Sequence, residues 1–304
     1  STRLLDGFQS RLLDAYGTQV IHQAWKPVTV FLNGQYWGHM NLRERVDRFF
    51  IAQFEGLPLD QADEMDILEA NGSVNFGSNK AYRAMLKKIK AGSPATNPDD
   101  LQYILDNVDV DNLFEYMALE MFVGNSDIGN IRYYRLHQEG SKWKWIWYDA
   151  DYGLYSSKFN SPWSYLKVKG MGEQKIDNTI FLKLLEHPDY KRKFLEKLAD
   201  VYKTFTTEYM TQVLDGVVAE IQPEMKNHWE RWGELNDKAV TSEVPTTIDG
   251  AYTYWESRVN RLYNTLKVRP HRLWDFIKDE FKLTKAEMEE LFGPQPDYPD
   301  DAVL

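Results

Sequence analysis

N-S-D-I-G-N-I-R-Y-Y-R (125–135) and K-W-K-W-I-W-Y-D-A-D-Y-G (142–153) decide how this chain folds. The first ends in a segment that predicts a strand, and the second begins with another. H-Q-E-G-S (137–141) turns the chain between them. Such a hairpin brings the polar start of one strand near the polar end of the other. It would gather Asp127, Asn130, Asp149 and Asp151 at one rim of a small sheet. Carboxylates held together repel, so the group calls for a cation or a shared proton. Hard oxygen donors in this layout suit a divalent metal and, with it, a phosphate. Asp and Asn also favour turns and helix caps, so a purely structural reading of the same residues stays open.

Around this hairpin the periodicity predicts the neighbouring elements. Leu4, Leu5, Phe8, Leu12 and Leu13 form one stripe of a helix over 2–16. Val28, Val30 and Leu32 alternate up to Asn33-Gly34, a strong hairpin signal, and Gln35 to Leu42 is the return strand. Arg43-Glu44 leads into a helix ending near Phe54. Residues 57–79 read as loop, 80–91 as a helix and 92–99 as a linker. An apolar helix over 111–124 delivers the chain to Asn125 and Asp127. Trp143, Trp145 and Trp147 alternate with Lys144 and Ile146, which puts three indoles on one strand face, a core face. Residues 154–179 read as an extended loop. Helices are expected over 180–187, 188–204, 206–233 with an interruption at Pro223, 246–266, 270–279 and 284–291. The tail 293–304, with P-Q-P-D-Y-P-D-D, reads as disordered.

Composition narrows the function classes. A net charge of −10 argues against nonspecific binding to nucleic acid or to an anionic membrane. It suits a basic partner, or a polyanion held through a metal. With no cysteine, disulfides, thiolate zinc sites and thiol catalysis are excluded. Aromatics make up 14% of the residues, enough for wide aromatic packing or an exposed recognition surface. No apolar run is long enough to span a bilayer. The chain starts at Ser1 without a leader-like segment and reads as a processed or excised piece.

Rival motifs are weaker. No two of the six histidines are spaced as a zinc-protease pair. G-S-V-N-F-G-S (72–78) lacks the lysine context of a phosphate loop. D-A-D (149–151) also fits the D-x-D with which many glycosyltransferases hold a metal and a nucleotide sugar. Paired carboxylates could equally serve a glycoside hydrolase, and sequence spacing does not give the separation that decides this.

Three segments in order carry a resemblance: V-T-V-F-L-N-G-Q-Y-W-G-H-M-N-L-R-E (28–44), N-S-D-I-G-N-I-R-Y-Y-R and W-K-W-I-W-Y-D-A-D-Y-G. Together they resemble the CotH kinase family, named for spore coat protein H, over most of residues 2–283. The resemblance implies an α+β, atypical protein kinase-like fold of two lobes. Residues 1–45 would be the remnant of a truncated small lobe, and 46–292 a helical large lobe bearing the acidic hairpin. It implies ATP with Mg²⁺ or Mn²⁺ as cofactors, and transfer of the γ-phosphate to Ser or Thr of a protein. Asp127 would be the catalytic-loop residue, with Asn130, Asp149 and Asp151 on the metal. Arg43 and Glu44 would open the hinge whose backbone meets adenine. Asp6 would stand where a kinase's helical acid pairs with a phosphate-binding base. That base itself is expected on strands upstream of the first helix. An acidic enzyme suits a Lys/Arg- and Ser-rich acceptor. The family's associations point to a spore coat, envelope or secreted location. Two alternatives stay open, a noncatalytic surface module on the same fold and a D-x-D sugar-active enzyme.

Overall fold

The computed structural model describes residues 4–167, 176–232 and 247–300. Within them the fold is α+β, with a large helical part and two small antiparallel sheets. Parts of several expected elements lie outside the described residues: 2–3 of the first helix, 168–175 of the long loop, 233 and 246 at two helix ends, and 301–304 of the tail.

Helix α1 (Leu5–Tyr16) precedes a two-stranded sheet of β1 (Trp25–Leu32) and β2 (Gln35–Arg43). Asn33 and Gly34 both take positive φ, 51° and 78°, the turn that their sequence announces. The hairpin docks on α9 (Thr207–Trp232), where Trp232 Nε1 donates to the Trp37 carbonyl (2.6 Å). A Cβ at Gly38 would sit 2.7 Å from that indole nitrogen, so only glycine fits there.

Helix α2 (Arg48–Phe54) leads to β3 (Met65–Glu69) and β4 (Ser73–Phe76). These two strands lie in the stretch that reads as loop. They join β5 (Arg132–Leu136) and β6 (Lys144–Ile146) in one antiparallel sheet of order β4-β3-β5-β6. M-D-I-L-E gives no alternation because β3 is buried on both faces, and its partner β5 is distant in sequence, with Met65 opposite Leu136. The tryptophan alternation of 143–147 separates two cores. Trp143, Trp145 and Trp147 pack into the large core, as a core face should. Ile146 faces a smaller core with Tyr134, Ile67 and Ile51.

The remaining elements are helical: α3 (Lys80–Ala91), α4 (Pro98–Asn107), α5 (Val110–Val123), α6 (Ser161–Tyr165), α7 (Thr179–Leu185), α8 (Pro188–Thr204), α10 (Ile248–Phe281) and α11 (Lys285–Phe292). Helix α5 is buried on every side from Leu113 to Val123, which makes it the axis of the large core. Leu4, which precedes α1, and Phe8 and Leu12 within it join that core. Helix α4 starts inside the expected linker, where Asn97 caps the Asp99 amide (3.1 Å) and Pro98 takes the first turn. Helix α6 interrupts the expected loop. Helix α9 passes through Pro223 unbroken, and α10 is one helix where two were expected. Pro270 removes a donor from Leu266, four residues back, and the Thr207 hydroxyl donates to that carbonyl instead (3.3 Å). Residues 293–300 form no regular element, and their start docks on α10 through Trp274 Nε1 and the Gly293 carbonyl (3.1 Å). No helix among the described residues is long and apolar enough to cross a membrane.

Candidate functional site

The acidic rim is built from the end of α5 upward. Gly124 closes the helix at φ 66°, and a Cβ there would lie 2.8 Å from Nη2 of Arg269. Arg269, fully buried in α10, donates to the carbonyls of Met121 (2.8 Å), Phe122 (2.9 Å) and Phe159 (2.6 Å). It thereby satisfies orphan carbonyls at the negative end of the α5 dipole. The loop leaves this cap at Asn125, whose Oδ1 accepts from the Asp127 amide (3.1 Å). Under the loop, Glu120 is buried and accepts from the Tyr165 hydroxyl (2.8 Å). Burial pushes its carboxyl up to about 7.

The second half arrives from β6. Trp147 donates its amide to the Ile21 carbonyl (2.9 Å), and the strand stops. Asp149 then adopts φ 53°, a left-handed conformation that Asp tolerates better than most residues. Gln9 of α1 clamps the turn, donating through Nε2 to the carbonyls of Ala150 (2.6 Å) and Gly153 (3.1 Å).

Asn130 joins the two halves. Its Nδ2 donates to Asp127 Oδ2 (3.1 Å) and to Asp149 Oδ2 (2.9 Å). Asp151 stands beside them. Burial and the charges of Asp149 and Asp127 push its carboxyl up, and Arg43 opposes the shift. So the structure brings Asp127, Asn130 and Asp149 together, with Asp151 in electrostatic reach. Asp6 forms an ion pair with Arg43 across the helix and hairpin. The side chain of Glu44 turns away and accepts from the Ala24 amide (2.8 Å).

Beside this set lies a cavity of about 470 Å³ bordered by Glu69, Asn71, Asn130, Arg132 and Tyr148. Arg132 lies over the Tyr148 ring at 4.0 Å and donates to the Val46 carbonyl (2.8 Å), which ties the segment after β2 to the cavity wall. The volume is in the range of small-molecule sites.

The donor set tests against a hard divalent ion with a mixed result. Asp127, Asn130, Asp149 and Asp151 offer the oxygen chemistry that Mg²⁺ or Mn²⁺ prefers. Among the described residues, however, no three His, Asp or Glu side chains converge as a metal site. The carboxylates are linked through an amide rather than around one point.

Gln9 and Arg269 escaped the sequence reading. Gln9 left a faint signal, a polar residue on the apolar stripe beside Phe8. Arg269 left none, since its partners, three main-chain carbonyls and the Ser161 hydroxyl, are far away in sequence.

A buried helix ending in an Asp-x-x-Asn loop, an antiparallel hairpin and a following acidic turn follow one another, within an α+β fold, in the order that kinase-like proteins use. The family described as CotH kinase protein matches residues 1–273, and the chain belongs to that family. A comparison with curated proteins found no match. The family implies ATP, a divalent metal and a protein substrate in general terms.

Proposed function

We propose that this protein transfers the γ-phosphate of ATP to a Ser or Thr hydroxyl of a protein. The observation that carries the reading is the Asn130 bridge, which ties Asp127 to Asp149 through one side-chain amide. Asp127 orients the acceptor hydroxyl and receives its proton. Asn130, Asp149 and Asp151 hold Mg²⁺ or Mn²⁺, which when bound neutralises charge on the transferring phosphate. The cavity beside Tyr148 takes the base and sugar, close to the segment 43–46. The net charge of −10 favours a Lys/Arg- and Ser-rich acceptor, and the family favours a spore coat or envelope location.

Calorimetric titration with ATP and Mg²⁺ or Mn²⁺ tests the reading, on the wild type and on Asp149→Asn. Metal-dependent binding that the variant loses supports it, as does turnover on a basic Ser-rich peptide that falls on the order of a thousandfold. Tighter binding of a nucleotide sugar than of ATP would move the D-A-D turn to sugar chemistry.

One observation favours a second reading. Val28, Val30, Met40 and Leu42 share one face of the hairpin, with Leu42 59% exposed, and Phe31 at its tip is 61% exposed. An exposed apolar sheet face suits a noncatalytic binding module. Such a module would bind no nucleotide in the titration above.

A further inference from the structure

Arg43 sits in a setting that the hairpin sequence did not anticipate. It ends β2, and its Nη1 pairs with Asp6 in the first turn of α1. Gln9 lies three residues along the same helix and is pinned to the carbonyls of Ala150 and Gly153. The face of α1 that holds Arg43 is therefore the face clamped to the acidic turn. The charges of Asp149 and Asp151 act on Arg43 from that turn, yet its ion pair among the described residues is with Asp6. Its Nε is buried and has no hydrogen-bond partner among the described residues. A buried guanidinium donor left unused is costly, and the planar fork of Arg is shaped for phosphate oxygens.

We propose that Arg43 contacts the phosphates of the nucleotide, and that its charge opposes entry of a bare metal ion to Asp149 and Asp151 until those phosphates arrive. The proposal rests on the phosphotransfer reading above. In it, the phosphate-binding base comes from the end of β2, held by Asp6, and not from a strand upstream of α1. The physical logic is charge balance. A guanidinium and a divalent ion beside the same carboxylates repel each other, and a polyphosphate between them neutralises both. Metal and nucleotide then bind best together.

Two consequences of opposite sign follow, and both are read by binding. The full chain is titrated by calorimetry with Mn²⁺ alone, with ATP plus Mn²⁺, and with adenosine, in the wild type, Arg43→Met and Arg43→Lys. Arg43→Met should weaken ATP plus Mn²⁺ by about tenfold or more, the size of one charge-assisted hydrogen bond. It should leave adenosine unchanged and tighten Mn²⁺ alone. Arg43→Lys should recover much of the ATP affinity and keep Mn²⁺ weak, which separates charge from fold. Equal loss of ATP and adenosine in Arg43→Met, or unchanged ATP affinity, overturns the phosphate contact while the phosphotransfer reading stands. Unchanged or weaker Mn²⁺ binding in that variant overturns the charge opposition. A wild type that binds Mn²⁺ but neither ATP nor adenosine overturns the phosphotransfer reading and the phosphate contact together.

Discussion

Arg269 donates through Nε to the carbonyl of Phe122 at 2.9 Å, across 147 residues of sequence. With its bonds to Met121 and Phe159, it makes α10 the cap of the helix that presents Asp127. Burial lowers the guanidinium below its usual range, and no acid pairs with it among the described residues. Its charge is balanced by the carbonyl end of α5. Arg269→Met should therefore leave several buried carbonyls unsatisfied. We expect a loss of roughly 3–5 kcal/mol in urea denaturation. Arg269→Lys should recover only a part, because one ammonium cannot reach three diverging carbonyls. Equal stability of all three proteins would remove Arg269 from this role.

Stability should depend on pH through Glu120. Its carboxyl is pushed up to about 7 by burial, while in the unfolded chain it returns to the ordinary Glu range. The folded state thus holds this proton more tightly. The resulting stabilisation is fully present below about pH 4.5 and is lost as pH rises through about 7, for a total of about 3 kcal/mol. Glu120→Gln keeps an acceptor for Tyr165 and does not ionise. The difference in unfolding free energy between variant and wild type, measured from pH 4.5 to 8, should grow in favour of the variant. A constant difference would contradict the assignment.

Asn130→Asp replaces the amide that joins two carboxylates with a third carboxylate. The repulsion should cost roughly 1–2 kcal/mol in chelator, seen as a lower unfolding midpoint. Added Mg²⁺ should restore more of the midpoint in the variant than it adds to the wild type. A variant as stable as wild type in chelator would show that the amide bridge is not what holds the two acids together.

Gln9→Glu tests the clamp from α1. A carboxylate there would face the carbonyls of Ala150 and Gly153, to which the amide now donates. The expected destabilisation is about 1–3 kcal/mol. Nucleotide affinity should fall along with it, because the acidic turn loses its support. Loss of stability with unchanged nucleotide affinity would separate the clamp from the site.

The acidic hairpin was legible because its signals are local. A turn between two strands places Asn130 and Asp149 side by side whatever else the chain does, and the Asn33-Gly34 turn is equally self-contained. Strand β3 was not legible, since a short segment buried on both faces has no period to read. The prolines at 223 and 270 misled for a related reason. Their local rule is to break a helix, and a hydroxyl from another helix satisfies the Leu266 carbonyl that Pro270 leaves free.

By itself the sequence determined the residue types and their order: an apolar helix, Asp-x-x-Asn, a hairpin, then Asp-x-Asp. With the N-G hairpin of 28–44 before it, that order is what the resemblance to the family rests on. Tertiary structure alone decided which residues stand behind them. Gln9 and Arg269 reach the site from 144 and 147 residues away, counted to Gly153 and Phe122. Hydrogen bonds to main-chain carbonyls make no demand on the partner's side chain. Such contacts therefore leave no pattern in the letters, and only the packing of α1 and α10 against α5 and the acidic turn brings them into being.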